Sequence, residues 1–222
     1  MAESNEFIRE VDEEYRRDRI AQVWKRYNGV IIGLLVLLIA GVGGWRWWQH
    51  AERQRNEAAG ARFQEALTLA RDGKAEEAER SLSTLAGDVD GGYDALARFR
   101  LAAERAKANA EEGAKGFDAL AADASVSPAL QDFARLRAAV LRLDADPAAA
   151  LPALERLSAP TNPWRHTARE LLAAAALKRG DYDAAGRWVD QMAADREAPP
   201  SLRPRLEVYS ALVAAGPVPA TQ

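Results

Sequence analysis

The chain has 222 residues, 48 % of them apolar, enough to bury a core and to exclude disorder throughout. A net charge of −3 argues against nucleic acid as the main partner. The absence of cysteine removes disulfides, thiolate chemistry and the usual zinc sites, while permitting an oxidising compartment such as a periplasm.

Residues 1–27 open the chain. Phe7, Val11 and Tyr15 follow at four-residue steps, and Ile20, Val23, Trp24 and Tyr27 continue the apolar stripe. Acids and arginines cover the remainder, a pattern that predicts an amphipathic helix. Two roles are open to it: lying on the lipid surface with Trp24 and Lys25 at the headgroups, or docking a cytoplasmic partner.

From Gly29 to Trp45 run seventeen uncharged residues, and past Arg46 the pair Trp47–Trp48 extends the apolar stretch to twenty. At ~1.5 Å per residue that is roughly 30 Å, the thickness of a bilayer core. Tyr27 and the tryptophans stand where aromatic belts belong. A buried core helix would not need such flanks. A cleaved signal peptide would start with a short basic segment, whereas seven acids precede this run. The expectation is an uncleaved transmembrane helix over 28–48, followed by a juxtamembrane linker over 49–57.

Six basic residues precede the span (Arg9, Arg16, Arg17, Arg19, Lys25, Arg26) and four follow it (Arg46, Arg53, Arg55, Arg62). The excess predicts a cytoplasmic N-terminus and a C-terminal domain outside the membrane, in a bacterium the periplasm. Gly29, Gly33, Ala40 and Gly44 fall at relative angles of about 0°, 40°, 20° and 60° at 100° per residue. They share one narrow stripe, a candidate contact for a partner's transmembrane helix or for a homodimer.

Residues 58–215 repeat. Lys74–Ala86 aligns without a gap on Asn109–Ala121, and Asp146–Ser158 and Asp181–Ala193 follow the same pattern. Each carries a small residue: Ala78, Gly113, Ala150 and Ala185, spaced 113 − 78 = 35, 150 − 113 = 37 and 185 − 150 = 35. Four residues on stand Leu82, Phe117, Leu154 and Val189; seven on stand Leu85, Leu120, Leu157 and Met192. Small, large and large at these offsets share one helix face. Twelve residues earlier, Ala66, Leu101, Ala138 and Ala173 mark a preceding helix.

Gly73 and Gly180 separate helices within pairs, and Pro128, Pro160, Pro163, Pro199 and Pro200 separate pairs. The expected fold is all-α: four helix pairs, A and B, with a closing helix near Leu202–Ala214 and a tail over 216–222. A period near 34 with a helix pair per unit resembles the tetratricopeptide repeat. That resemblance implies an α-solenoid whose helix A positions fifteen and eight residues before the small residue face a concave groove. Arg98 and Arg105 hold them in the second repeat and Arg135 and Arg142 in the third. Two readings are open: a candidate basic strip for an acidic peptide or carboxylate, or solvated faces of an arginine-rich chain.

His50 and His166 stand far apart and outside any metal-ligand spacing, and no nucleophile elbow or phosphate-cradling glycine loop occurs. The expectation is a protein without catalytic, cofactor-binding or metal-binding residues, and not an enzyme. Phe7–Glu14 and Gly41–Trp48, followed by the repeats, resemble the YfgM-type ancillary subunits of the bacterial Sec translocon. The resemblance implies a periplasmic repeat domain that associates with the translocation channel and with periplasmic chaperones, including a prolyl isomerase-like one. Two other readings are a scaffold of another envelope machine (cell division or outer-membrane assembly) and a signalling regulator acting through the cytoplasmic helix.

Overall fold

The computed structural model describes the backbone of residues 3–88 and 92–217 and the side chains of 26–30, 32–88 and 92–217. The stripe from Phe7 to Trp24 therefore lies outside the described side chains, and most of the tail outside the described residues. Nine α-helices and no strand occur among the described residues. They are α1 (Glu3–Arg71), α2 (Ala75–Asp88), α3 (Gly92–Ala108), α4 (Ala110–Ala122) and α5 (Pro128–Arg142), then α6 (Pro147–Leu157), α7 (Arg165–Lys178), α8 (Tyr182–Ala194) and α9 (Arg203–Ala215). Internal contacts divide the chain into two units, Met1–Ala58 and Ala59–Gln222.

In the first unit, α1 carries the apolar run, long and apolar enough to cross a membrane, with none of it buried. Among its described side chains the leucines, isoleucines, valines and tryptophans are exposed.

The second unit is the stack of helix pairs: the end of α1 with α2, α3 with α4, α5 with α6, α7 with α8, then α9. The small–large–large pattern is its core. All four small residues, and all eight large ones at offsets four and seven, are buried. They pack against Ala66, Ala102 and Ala173 of their helix A partners in the first, second and fourth pairs and against Leu136 and Ala139 in the third, where Ala138 packs instead in the cluster of the second pair. In the second pair the buried alanine is Ala102, one residue beyond Leu101, which is only half-buried.

That pair is the tightest. A Cβ on Gly113 would sit 2.6 Å from Ala106 Cα and 2.9 Å from the Ala102 carbonyl, and one on Gly116 would sit 2.8 Å from Ala102 Cβ. No side chain fits there.

Gly73 and Gly180 turn the first and fourth pairs with φ of 79° and 74°. The amides that follow, Lys74 and Asp181, donate to the Leu69 and Ala176 carbonyls at 3.0 and 2.9 Å. This is the Schellman closure that a left-handed glycine permits. The second and third pairs rely on N-caps instead. Asn109 accepts from the Glu111 and Glu112 amides, and Asp146 from the Ala149 amide.

A candidate interaction surface on the helix A column

The four arginines singled out by spacing lie on α3 and α5, the A helices of the second and third pairs. Each is engaged. Arg98 donates to Asp94 at 3.2 Å and to Asp123 at 2.6 Å. Arg105 reaches Glu79 on α2 at 3.4 Å. Arg135 donates to Asp132, to Gln131 and to the Ala121 carbonyl at the end of α4. Arg142 makes a two-pronged contact with Glu111, both at 2.8 Å, and a further pair with Asp118 at 2.6 Å, both acids on α4.

Three of the four therefore tie their helix A to the preceding helix B. Their charges are compensated from inside the stack. The hydrogen bonds to Glu111 hold the Arg142 guanidinium above its ordinary pKa despite partial burial. The Ser125 hydroxyl first, and Arg98 second, hold the Asp123 carboxyl down at about 2. Further along the same column stand Glu170 and Arg205, bonded to each other at 2.6 and 3.0 Å. The basic character thus ends at the fourth repeat.

A second periodic feature escapes a reading of the apolar residues. Ten residues past the small position stand Asp88, Asp123 and Asp195 in the first, second and fourth repeats. Each accepts from an arginine of its own helix A: Arg62 at 3.0 Å, Arg98 at 2.6 Å and Arg165 at 2.8 Å. The third repeat has Pro160 there, and Asn162 reaches Asp132 on α5 instead, at 2.8 Å. The signal was in the same repeat period, an aspartate in three of the four units.

At Asp195 the arrangement grows into a buried charged cluster. Arg169 donates from Nη1 to Asp195 at 3.2 Å and from Nε to the Ser158 carbonyl at 3.1 Å, and Arg165 also reaches Glu197. The Arg165 hydrogen bond holds the Asp195 carboxyl well below the usual carboxylate range. His166 lies beside it, its Nε2 3.7 Å from Asp195, and neither ring nitrogen has a hydrogen-bond partner among the described residues. Burial, then the Arg165 charge, pushes its pKa down and favours the neutral ring. No group of three or more potential metal-ligating side chains occurs among the described residues.

On the apolar run, Gly29, Gly33, Ala40 and Gly44 are exposed, and a Cβ on any of the three glycines would meet nothing within 4 Å.

No curated protein and no solved structure matches the sequence. The tetratricopeptide repeat-like domain family matches residues 22–187, a span that opens ahead of the apolar run and closes within α8. With three-quarters of its length inside that match and its helix pairs in register, the chain belongs to the tetratricopeptide repeat-like domain family.

Proposed function

We propose that this chain is a membrane-anchored interaction scaffold, an ancillary subunit of YfgM type that links the Sec channel to periplasmic chaperones. Residues 1–27 lie in the cytoplasm, 28–48 cross the inner membrane, 49–57 form the juxtamembrane linker and 58–215 form the periplasmic repeat domain. One observation carries the reading: the family match takes in both the apolar run and the repeats. Stacked helix pairs expose extended surfaces suited to protein partners. The likeness of Phe7–Glu14 and Gly41–Trp48 to the translocon subunits adds the choice of machine.

Within that reading, the arginine column receives an acidic segment of a partner, and Arg105 is its most open member, half-exposed with one long contact. Such a ligand exchanges places with Glu79, Glu111 or Asp118, so binding is weak and salt-dependent. The stripe Gly29, Gly33, Ala40 and Gly44 packs against a partner's membrane helix.

Gentle detergent co-purification with identification of the bound proteins tests the assignment. Channel subunits and a prolyl isomerase-like chaperone are expected; a division or outer-membrane assembly complex in their place overturns it. Alkaline phosphatase fused after Gln222 should be active, and an inactive fusion overturns the topology. Deleting residues 1–24 should leave chaperone binding intact, and its loss would favour the regulator.

A further inference from the structure

Each helix A after the first rests on the pair before it. Ala97 and Leu101 of α3 pack in the cluster of the first pair, and Ala134 and Ala138 of α5 in that of the second. Ala168 and Leu172 of α7 pack in the cluster of the third pair, and Leu202 and Leu206 at α9 in that of the fourth. One turn on, the same helix face brings up a third residue: Glu104, Leu141, Ala175 and Tyr209 in turn. Each stands seven residues past the first member and three past the second, as in 175 − 168 = 7 and 175 − 172 = 3.

These third residues differ in bulk. Glu104 is a long side chain, 5 % exposed, held by Arg100 at 2.5 Å and Lys107 at 2.6 Å. Leu141 packs in the cluster of the second pair and Tyr209 in that of the fourth. Ala175 is the smallest of the four, and beside it the packing fails. A cleft of about 310 Å³ opens between α7 and the third pair. Its apolar lining is Leu143 after α5, Pro147 at the start of α6, and Ala174 and Ala175 of α7. Close-packed stacks leave few voids of this size, which matches the smaller pockets that hold ligands.

Asp144, Lys178 and Arg179 form the polar edge. Lys178 Nζ meets Asp144 at 2.7 Å, with the two side chains 67 % and 79 % exposed. So open a pair exchanges readily with another carboxylate. Arg179 leaves this edge with two cations against one acid. Asp146 and Asp181, nearby in sequence, cap α6 and α8 and do not line the cleft. The edge therefore favours a negative group beside the apolar one. None of the four arginines of the column lines it.

We propose that this cleft receives a segment of a partner protein, which inserts one large apolar side chain beside Ala175 and sets a carboxylate against Lys178 and Arg179. The precedent lies within the chain, since Leu141 and Tyr209 hold the corresponding place at two other joints. The site rests on the stack alone, so it stands or falls apart from the anchor and translocon reading.

The probe is the peptide acetyl-Glu-Glu-Phe-Glu-Glu-amide, observed by saturation-transfer NMR with the purified full chain in detergent. Transfer should be saturable and strongest at the phenylalanine ring. Replacing that phenylalanine by alanine, or the glutamates by lysines, should abolish it. Ala175→Leu fills the cleft from within and should weaken binding by at least ~tenfold. Lys178→Gln with Arg179→Gln should weaken it severalfold, more at low salt than at high salt. Both of those side chains are exposed. The urea midpoint of that double variant should therefore equal the wild type's, which separates lost binding from lost fold.

Absence of saturable transfer overturns the proposal, as does binding that survives both variants. Equal binding of the alanine or the lysine peptide overturns it too. Octanoate binding more tightly than the peptide would assign the cleft to a free fatty acid, and would overturn the partner assignment.

Discussion

The second and fourth repeats solve one problem, holding helix A against helix B, in opposite ways. The second does it with backbone proximity: Gly113 and Gly116 let α4 approach Ala102 and Ala106 until no Cβ fits, and its Arg98–Asp123 pair is only partly buried. In the fourth repeat the small position is an ordinary alanine, Ala185, and Asp195 is drawn in among Arg165, Arg169 and His166. Tight apolar contact is indifferent to pH and salt; an ion cluster removed from water is not. One period can therefore hold units that respond differently to solution conditions.

The sharpest break falls on the second repeat. Gly113→Val must push α4 off Ala106 and should cost about 3 kcal/mol, at the upper end for overpacking, read as a lower urea midpoint. Gly33→Val, on the open apolar run, should leave the unfolding of the repeats unchanged.

Next come the three copies of the Arg–Asp tie. Asp195→Asn should lower the urea midpoint most, Asp123→Asn less and Asp88→Asn least. The order follows exposure, from 16 % at Asp195 to 53 % at Asp88. An equal effect at all three would mean that burial of the cluster contributes nothing.

Acid should distinguish the repeats further. The folded-state pKa of His166 is lowered, so the unfolded chain binds its proton more readily, and stability falls as pH drops below about 6.5. His166→Gln should remove that loss between pH 7 and 5. Asp195 and Asp123 also have lowered folded pKa values. Their contribution is complete above about 3.8, the ordinary aspartate value, and is lost as pH falls below it. The two acid phases should therefore separate. The smallest effect is expected at Arg105→Ala, within about 0.5 kcal/mol, as for an exposed pair; a larger loss would make this arginine part of the stack.

The fold was legible because a helix pair buries the same seam every time, so residue size must recur at the same offsets. Ala78, Gly113, Ala150 and Ala185 carried the period through sequences otherwise unlike. The arginine column was legible as positions and not as chemistry. Whether Arg142 faces a ligand or Glu111 depends on reach between two residues 31 apart in sequence on neighbouring helices, which no local pattern encodes. The Asp195 cluster was hidden for a related reason. His166 is one histidine on a polar stretch until α7 and the segment after α8 close around it.

The principal contacts of the described helices from α2 to α9 run between neighbours in sequence: α2 with α3, α3 with α4, and so on to α8 with α9. Such a stack has no long-range closure, so it can open from a free end one helix at a time. Amide exchange should then vary by blocks, with α9 exchanging first and the seam around Phe117 last. Anything that stiffens α9 would slow exchange well beyond α9 itself, because fraying starts there.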